Sequence, residues 1–123
     1  MRALRVIRLK DQAVIADQCF EAVRFLDRFR GLMGRAGLGA GEAMVFPNCS
    51  SIHTCWMRFS IDVVFLRRSE GRKDVWSVSS VRAEVRPWNL WVRDGRAERT
   101  LELKSGSAAK IGLIPGDEVE CIG

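Results

Sequence analysis

The residues that could do chemistry crowd into the segment Cys49–Leu66. It holds Cys49, His53, Cys55, Met57, Arg58 and Asp62, and His53 is the chain's one histidine. A thiol hydrolase or transferase needs a thiolate, a base to take its proton and an acceptor to orient the base. Cys49, His53 and Asp62 supply those three types as nucleophile, base and orienter. Catalytic Cys and His usually meet from distant segments, however, and no local signature of a cysteine enzyme surrounds this pair. Asp62 also has a plain structural role, because a carboxylate that opens a strand satisfies nearby turn N–H groups.

Three further chemistries fit the same residues. As a binding site, His53, Met57, Arg58 and Asp62 would contact a ligand, with Cys49 beside them. There His53 would exchange a hydrogen bond with the ligand and Arg58 would pair with an acidic group on it. As a metal site, Cys49, His53 and Cys55 form C-x3-H-x-C, and Cys121 could add a fourth ligand. Zinc knuckles favour C-x2-4-C or H-x3-5-H spacing, and buried free cysteines usually behave as small hydrophobes, so we expect no metal and no cofactor. As a nucleic-acid surface, Trp56, Trp76, Trp88 and Trp91 with Arg58, Arg82, Arg86 and Arg93 could stack bases and contact phosphates. Tryptophans at this density more often pack cores and rims, which disfavours that reading.

The elements that must position these groups are mostly strands. Residues 3–9 and 12–16 read as a hairpin around Lys10-Asp11-Gln12. Asp17 then reads as the cap of a helix from about Cys19 to Leu32, because Phe20, Val23, Leu26, Phe29 or Arg30, and Met33 recur at spacings of three and four. Gly34 terminates it. Strands follow at 42–46, 52–57, 62–67, 75–81, 88–93, 100–104 and 118–122. On the strand 52–57, His53, Cys55 and Met57 would share one face. Residues 107–111 form one short helical turn. The expected fold is α+β: a mostly antiparallel, strongly bent, barrel-like sheet of about eight short strands packed against one main helix.

Composition bounds the rest. The 123 residues make a single domain, 1–123, able to bury a core without disulfide staples. The net charge of +5 arises from 16 arginines and 4 lysines against 15 acidic residues, but the basic residues are spread along the chain. That pattern describes a mildly basic solvated surface better than a nucleic-acid footprint. No apolar run approaches the roughly 18 residues of a membrane span. Arg5 and Arg8 interrupt the apolar N-terminus, which therefore does not read as a signal peptide. The expectation is a cytoplasmic protein with Cys19, Cys49, Cys55 and Cys121 as free thiols.

Three separated segments resemble the domain-of-unknown-function 192 family, also called uncharacterised protein family 0127. The first is Arg28-Phe29-Arg30-Gly31-Leu32-Met33-Gly34-Arg35, similar to the family's R-x-x-GLM-x-R element. The second is Met44-Val45-Phe46-Pro47 with His53-Thr54-Cys55-Trp56-Met57-Arg58 and Phe59-Ser60-Ile61-Asp62-Val63-Val64-Phe65-Leu66, similar to the central block. The third is Leu101-Glu102-Leu103-Lys104-Ser105-Gly106 with Gly116-Asp117-Glu118-Val119, similar to the closing elements. Where the family often has proline before Ile-Asp, this chain has Ser60. The resemblance spans about residues 20–122 and implies a fold and a site rather than a reaction. The reading is a non-enzymatic binding or accessory module for a small molecule or protein partner. A Cys/His/Asp hydrolase or transferase is the alternative, and weak nucleic-acid binding a further one.

Overall fold

In this computed structural model, residues 2–24 and 31–123 are described. Along the chain run β1 (Arg2–Arg8), β2 (Ala13–Glu21), β3 (Glu42–Pro47), β4 (Ser51–Ile52), β5 (Ile61–Arg68), β6 (Val75–Val85), β7 (Val92–Arg93), β8 (Arg99–Lys104), helix α1 (Ser107–Ile111) and β9 (Glu118–Ile122). The order β1-β2-β3-β8-β5-β6-β9 closes into a barrel, and β4 pairs with β7 in a separate ladder. β2 runs parallel to β3, while the other barrel pairs are antiparallel. The expected barrel-like, mostly antiparallel sheet is thus present, but it is fully closed and one of its pairs is parallel. A parallel pair needs a long crossover, and residues 22–41 supply it.

The expected main helix does not start at Cys19. Cys19, Phe20 and Glu21 form the end of β2, and all three pair with both β1 and β3. Asp17 lies inside that strand and does not cap a helix. Tertiary pairing on both edges overrides a periodicity that a few residues satisfy equally well in either state. Residues 25–30 of the expected helix lie outside the described residues. The short turn expected at 107–111 is present as α1, the one helix among the described residues.

Alternation along the strands makes two cores. Leu4, Val6, Val45, Val64, Leu66, Leu101, Leu103 and Val119 belong to one cluster, which draws on every barrel strand and is therefore the barrel interior. Ala108 of α1 and the following Leu113 join it and close one end. Cys19 and Cys121 are buried there too. Met44, Phe46, Val63 and Phe65 belong to a second cluster. These side chains alternate with the first set along β3 and β5, so they lie on the outer face of the wall. Leu32, Leu38 and Met57 from the connections, Val92 from β7 and Val85 from the end of β6 pack with them. This outer core carries the candidate site.

Candidate functional site

β8 is the centre of that wall. Glu102 lies opposite Met44 of β3 and opposite Val63 of β5. Directly paired residues point to the same side of a sheet, so the Glu102 carboxyl stands between two buried apolar side chains on the outer face. Only 3% of Glu102 is exposed. Burial pushes its carboxyl up from 4.5 to about 8, because removal from water penalises the charged form. No described residue gives this carboxyl a hydrogen bond or an ion pair.

Glu102 helps to line a cavity of about 200 Å³ together with Gly31, Leu32, Met33, Phe46, Cys49, Ser51, Ile52, His53 and Met57. The wall is set by backbone geometry. The Cys49 N–H donates to the Glu98 carbonyl at 3.0 Å, and the Thr100 hydroxyl donates to the Cys49 carbonyl at 2.9 Å. Thr100 of β8 and Glu98 just before it therefore pin Cys49 over the sheet. Gly31, at a φ of +49°, approaches so closely that a Cβ there would lie 3.2 Å from the Phe46 ring. Any larger residue would be both strained and crowded.

Thr54 fixes the next segment. It is fully buried. Its Oγ1 donates to the Arg86 carbonyl at 2.7 Å and accepts from the Asn89 N–H at 2.9 Å. Its carbonyl accepts from Trp88 N–H and Met57 N–H, and its own N–H donates to the Asn89 carbonyl. Residues 53–57 are therefore a turn clamped to the 86–89 loop, not the strand expected over 52–57. The strand β4 ends at Ile52, and Trp56 takes a φ of +67°. His53, Cys55 and Met57 do not share a strand face. Met57 is buried and His53 is exposed, although both line the cavity.

The structure brings Cys49, His53 and Met57 together and sends Asp62 elsewhere. The Cys49 thiol donates to the Ser51 carbonyl at 3.1 Å. The His53 Nδ1 accepts from the Cys55 N–H at 3.2 Å, which leaves Nε2 to carry the proton of a neutral ring. Asp62 lies opposite Leu103 and so belongs to the barrel-interior side, across the sheet from Glu102 and the cavity. Its Oδ1 accepts from Glu84 N–H and its Oδ2 from Ala108 N–H, both at 2.9 Å. The β5–β6 register shifts between Ile61 and Val63, and the Asp62 carboxylate spans that irregularity through its bond from Glu84 N–H. It fastens the bulge and the first turn of α1 at once. Arg58 is exposed and does not line the cavity. Among the described residues, no group of three His, Cys, Asp or Glu side chains could hold a metal ion.

The tryptophans split in the same way. Trp76 is 5% exposed and packs in the barrel core beneath Arg68 and Arg99, whose guanidinium carbons lie 5.0 and 4.4 Å from its ring centroid. Trp56, Trp88 and Trp91 are exposed, and the Trp56 and Trp88 rings meet edge to face at 4.7 Å. Glu102 is the site residue that the sequence reading missed. A lone acid in Thr100-Leu101-Glu102-Leu103 reads as the solvent side of an alternating strand, and only the tertiary cover makes it buried.

A closed mixed barrel with a covered outer wall and one cavity over its central strand defines the class. Residues 7–121 match the profile of DUF192, described as Uncharacterized ACR, and the chain belongs to that family. It is similar to a UPF0127 protein of Thermococcus sibiricus, 31% identical over 100 residues, which cover 78% of this chain and 60% of the relative. The chain thus matches less than two thirds of that relative's length. Among solved structures it resembles a protein of unknown function from Novosphingobium aromaticivorans (TM-score 0.77, 24% identity, 96% of this chain and 83% of the other). A putative transcription regulator from Sinorhizobium meliloti is similar as well (TM-score 0.77, 20% identity, 96% and 91% covered). These two likenesses concern the fold. Among the described residues no helix is long and apolar enough to cross a membrane.

Proposed function

We propose that this chain is a non-enzymatic binding module whose ligand occupies the cavity over β8. The observation that carries the reading is Glu102: a carboxyl 3% exposed, without a described partner, on the wall of a cavity of about 200 Å³. A carboxyl that reaches a cavity and has no partner among the described residues is open to a ligand's donors. An apolar pocket with a few convergent polar groups and a perturbed titratable residue is the usual form of a small-molecule site. His53 and Cys49 enter as hydrogen-bonding groups at its rim. The thiol donates to a backbone carbonyl and Asp62 is engaged across the sheet, which favours binding over a Cys49/His53/Asp62 hydrolase. An accessory role in the cytoplasm agrees with the free cysteines.

The test is an amide-detected NMR screen of the full chain against small fragments of cationic, neutral and acidic type. Shift changes should centre on Leu32, Phe46, His53 and Met57. If fragments of all three types leave these amides unmoved, the cavity is not a binding site.

A further inference from the structure

The charge of the cavity wall says more than its shape. Among the described lining residues, Glu102 is the one carboxylic acid, and neither lysine nor arginine is present. The other titratable groups there are Cys49 and His53. Beside Glu102 on its own face, β3 and β5 present Met44 and Val63, which carry no charge. Phe46, Met33 and Met57 complete the wall with an aromatic ring and two thioethers. Aromatic faces attract cations, and thioether sulfur is a weak acceptor. Among the described lining residues, Leu32 and Ile52 are neutral to charge, Glu102, Phe46 and the two methionines accept hydrogen bonds or favour positive charge, and the side-chain donors are Cys49, Ser51 and His53. Arg58, which would have matched an acidic ligand, points to solvent and is absent from the wall.

We propose that the cavity recognises a cationic nitrogen, an ammonium or guanidinium group on a short apolar body, with Glu102 as its counter-ion. The proposal rests on the binding reading above and names the ligand class for that same site. A cation with several N–H donors would give the Glu102 oxygens partners that the described residues do not supply, through charge-assisted hydrogen bonds of about twice the neutral strength. Its apolar body would lie against Leu32, Phe46 and Met57. At liquid-water spacing of about 30 Å³ per molecule, the cavity accommodates roughly half a dozen non-hydrogen atoms, which matches one short amine or the head of one lysine or arginine side chain.

The same chemistry can arrive on a free amine or on a protein side chain, so the experiment carries both. The full-length chain is titrated with n-butylammonium, n-butylguanidinium, n-butanol and butanoate, and with the capped tripeptides Ac-Ala-Lys-Ala-NH2 and Ac-Ala-Arg-Ala-NH2. Amide shifts of the cavity residues serve as the readout. The cationic probes should bind at least about tenfold more tightly than butanol, and butanoate should not bind. Glu102→Gln should weaken the cations about tenfold or more and leave butanol unchanged. In the unmutated chain, affinity for butylammonium should rise as the pH climbs from about 6 to 8, approaching tenfold per unit while Glu102 is mostly protonated. That rise should be absent in Glu102→Gln and retained in His53→Asn. A peptide that outcompetes butylammonium assigns the cation to a protein partner, and the reverse order assigns it to a free amine; either order supports the proposal. Binding of butanol or butanoate as tight as that of the cations overturns it while the binding reading stands. No shift with any probe overturns both.

Discussion

Replacing Glu102 by glutamine should stabilise the free protein, and the gain should depend on pH. Glu102 is buried between Met44 and Val63, and its carboxyl is raised from 4.5 to about 8 by that burial. In the unfolded chain the same carboxyl ionises near its ordinary value. Below about pH 4.5 both states hold the proton, and the folded state has its full relative stability. Between 4.5 and about 8 the unfolded chain ionises while the folded protein does not. Stability then falls by about 1.4 kcal/mol for each pH unit. Above pH 8 both states are ionised and the loss is complete. The whole interval amounts to roughly 5 kcal/mol, of which about 3 kcal/mol has been lost by pH 7. Against a typical net stability of about 5–15 kcal/mol this is a large effect.

Glu102→Gln lacks that titration. Urea unfolding followed by tryptophan fluorescence, at about pH 5 and about pH 7.5, should show the variant's advantage growing by roughly 2–3 kcal/mol between the two. The difference between the proteins is the useful quantity, because carboxylates such as Asp11 and Asp94 titrate in both and cancel. A constant offset from packing of the amide also cancels. If the two stability profiles run parallel, Glu102 is ionised and satisfied throughout, and the reasoning from its burial to an unpartnered carboxyl fails.

Three further outcomes follow from the same geometry. Asp62→Ala deprives Glu84 N–H and Ala108 N–H of their acceptor and should cost roughly 2–5 kcal/mol in chemical denaturation, with faster hydrogen exchange at both amides; a loss under about 1 kcal/mol would mean that the bulge and α1 hold without it. Alkylation of the native protein near pH 8, read by mass spectrometry, should reach the partly exposed Cys49 and Cys55 and spare Cys19 and Cys121, whose thiols burial pushes up to about 12 and about 11; early labelling of Cys19 would contradict a closed barrel. Burial pushes the Asp94 carboxyl up, but hydrogen bonds from Ser79, Ser80 and Arg96 outweigh it and hold the carboxyl well below its usual range. Its contribution is present above the ordinary carboxylate pKa and is lost as pH falls, so Asp94→Asn should destabilise the protein at pH 7 and flatten its acid sensitivity, and an acid limb as steep as before would sink that account.

How much of this was legible follows from what each element answers to. β5 and β9 were readable because a continuous apolar run or a Gly-Asp turn marks them locally, and β8 because Leu101 and Leu103 alternate with polar residues; the expected strand 118–122 coincides with Glu118–Ile122. The end of β2 was not. Asp17, Cys19 and Phe20 satisfy a helical reading as well as a strand reading, and the decision belongs to β3, whose register with Gln18–Glu21 is invisible in the local sequence. The turn at 53–57 was missed for a similar reason. His53, Cys55 and Met57 alternate like a strand, but the Thr54 hydroxyl and backbone are taken by Arg86, Trp88 and Asn89 more than 30 residues away. Closure depends on β1 pairing with β9, the two ends of the chain, and no local pattern reports it.

The same distinction governs the site. Sequence proximity selected Cys49, His53, Met57, Arg58 and Asp62 as one constellation, and proximity along a strand is a poor guide to a shared face because the side alternates at every residue. Asp62 and Val63 are neighbours in sequence, yet Val63 shares a face with Glu102 and Asp62 faces the barrel interior. The register of β8 against β3 and β5 therefore decides which carboxylate meets the cavity. That exchange reverses the expected charge. A site built on Arg58 would take an acid, whereas a site built on Glu102 takes a donor, and best a cation. Glu102 is also the position where the fold gives up stability near neutral pH, and packing of the described wall gives no reason for an acid between Met44 and Val63. A ligand that returns hydrogen bonds to that carboxyl supplies one, which joins the stability measurement to the binding measurement: the group whose removal should stabilise the free protein is the group whose removal should weaken recognition of the cation.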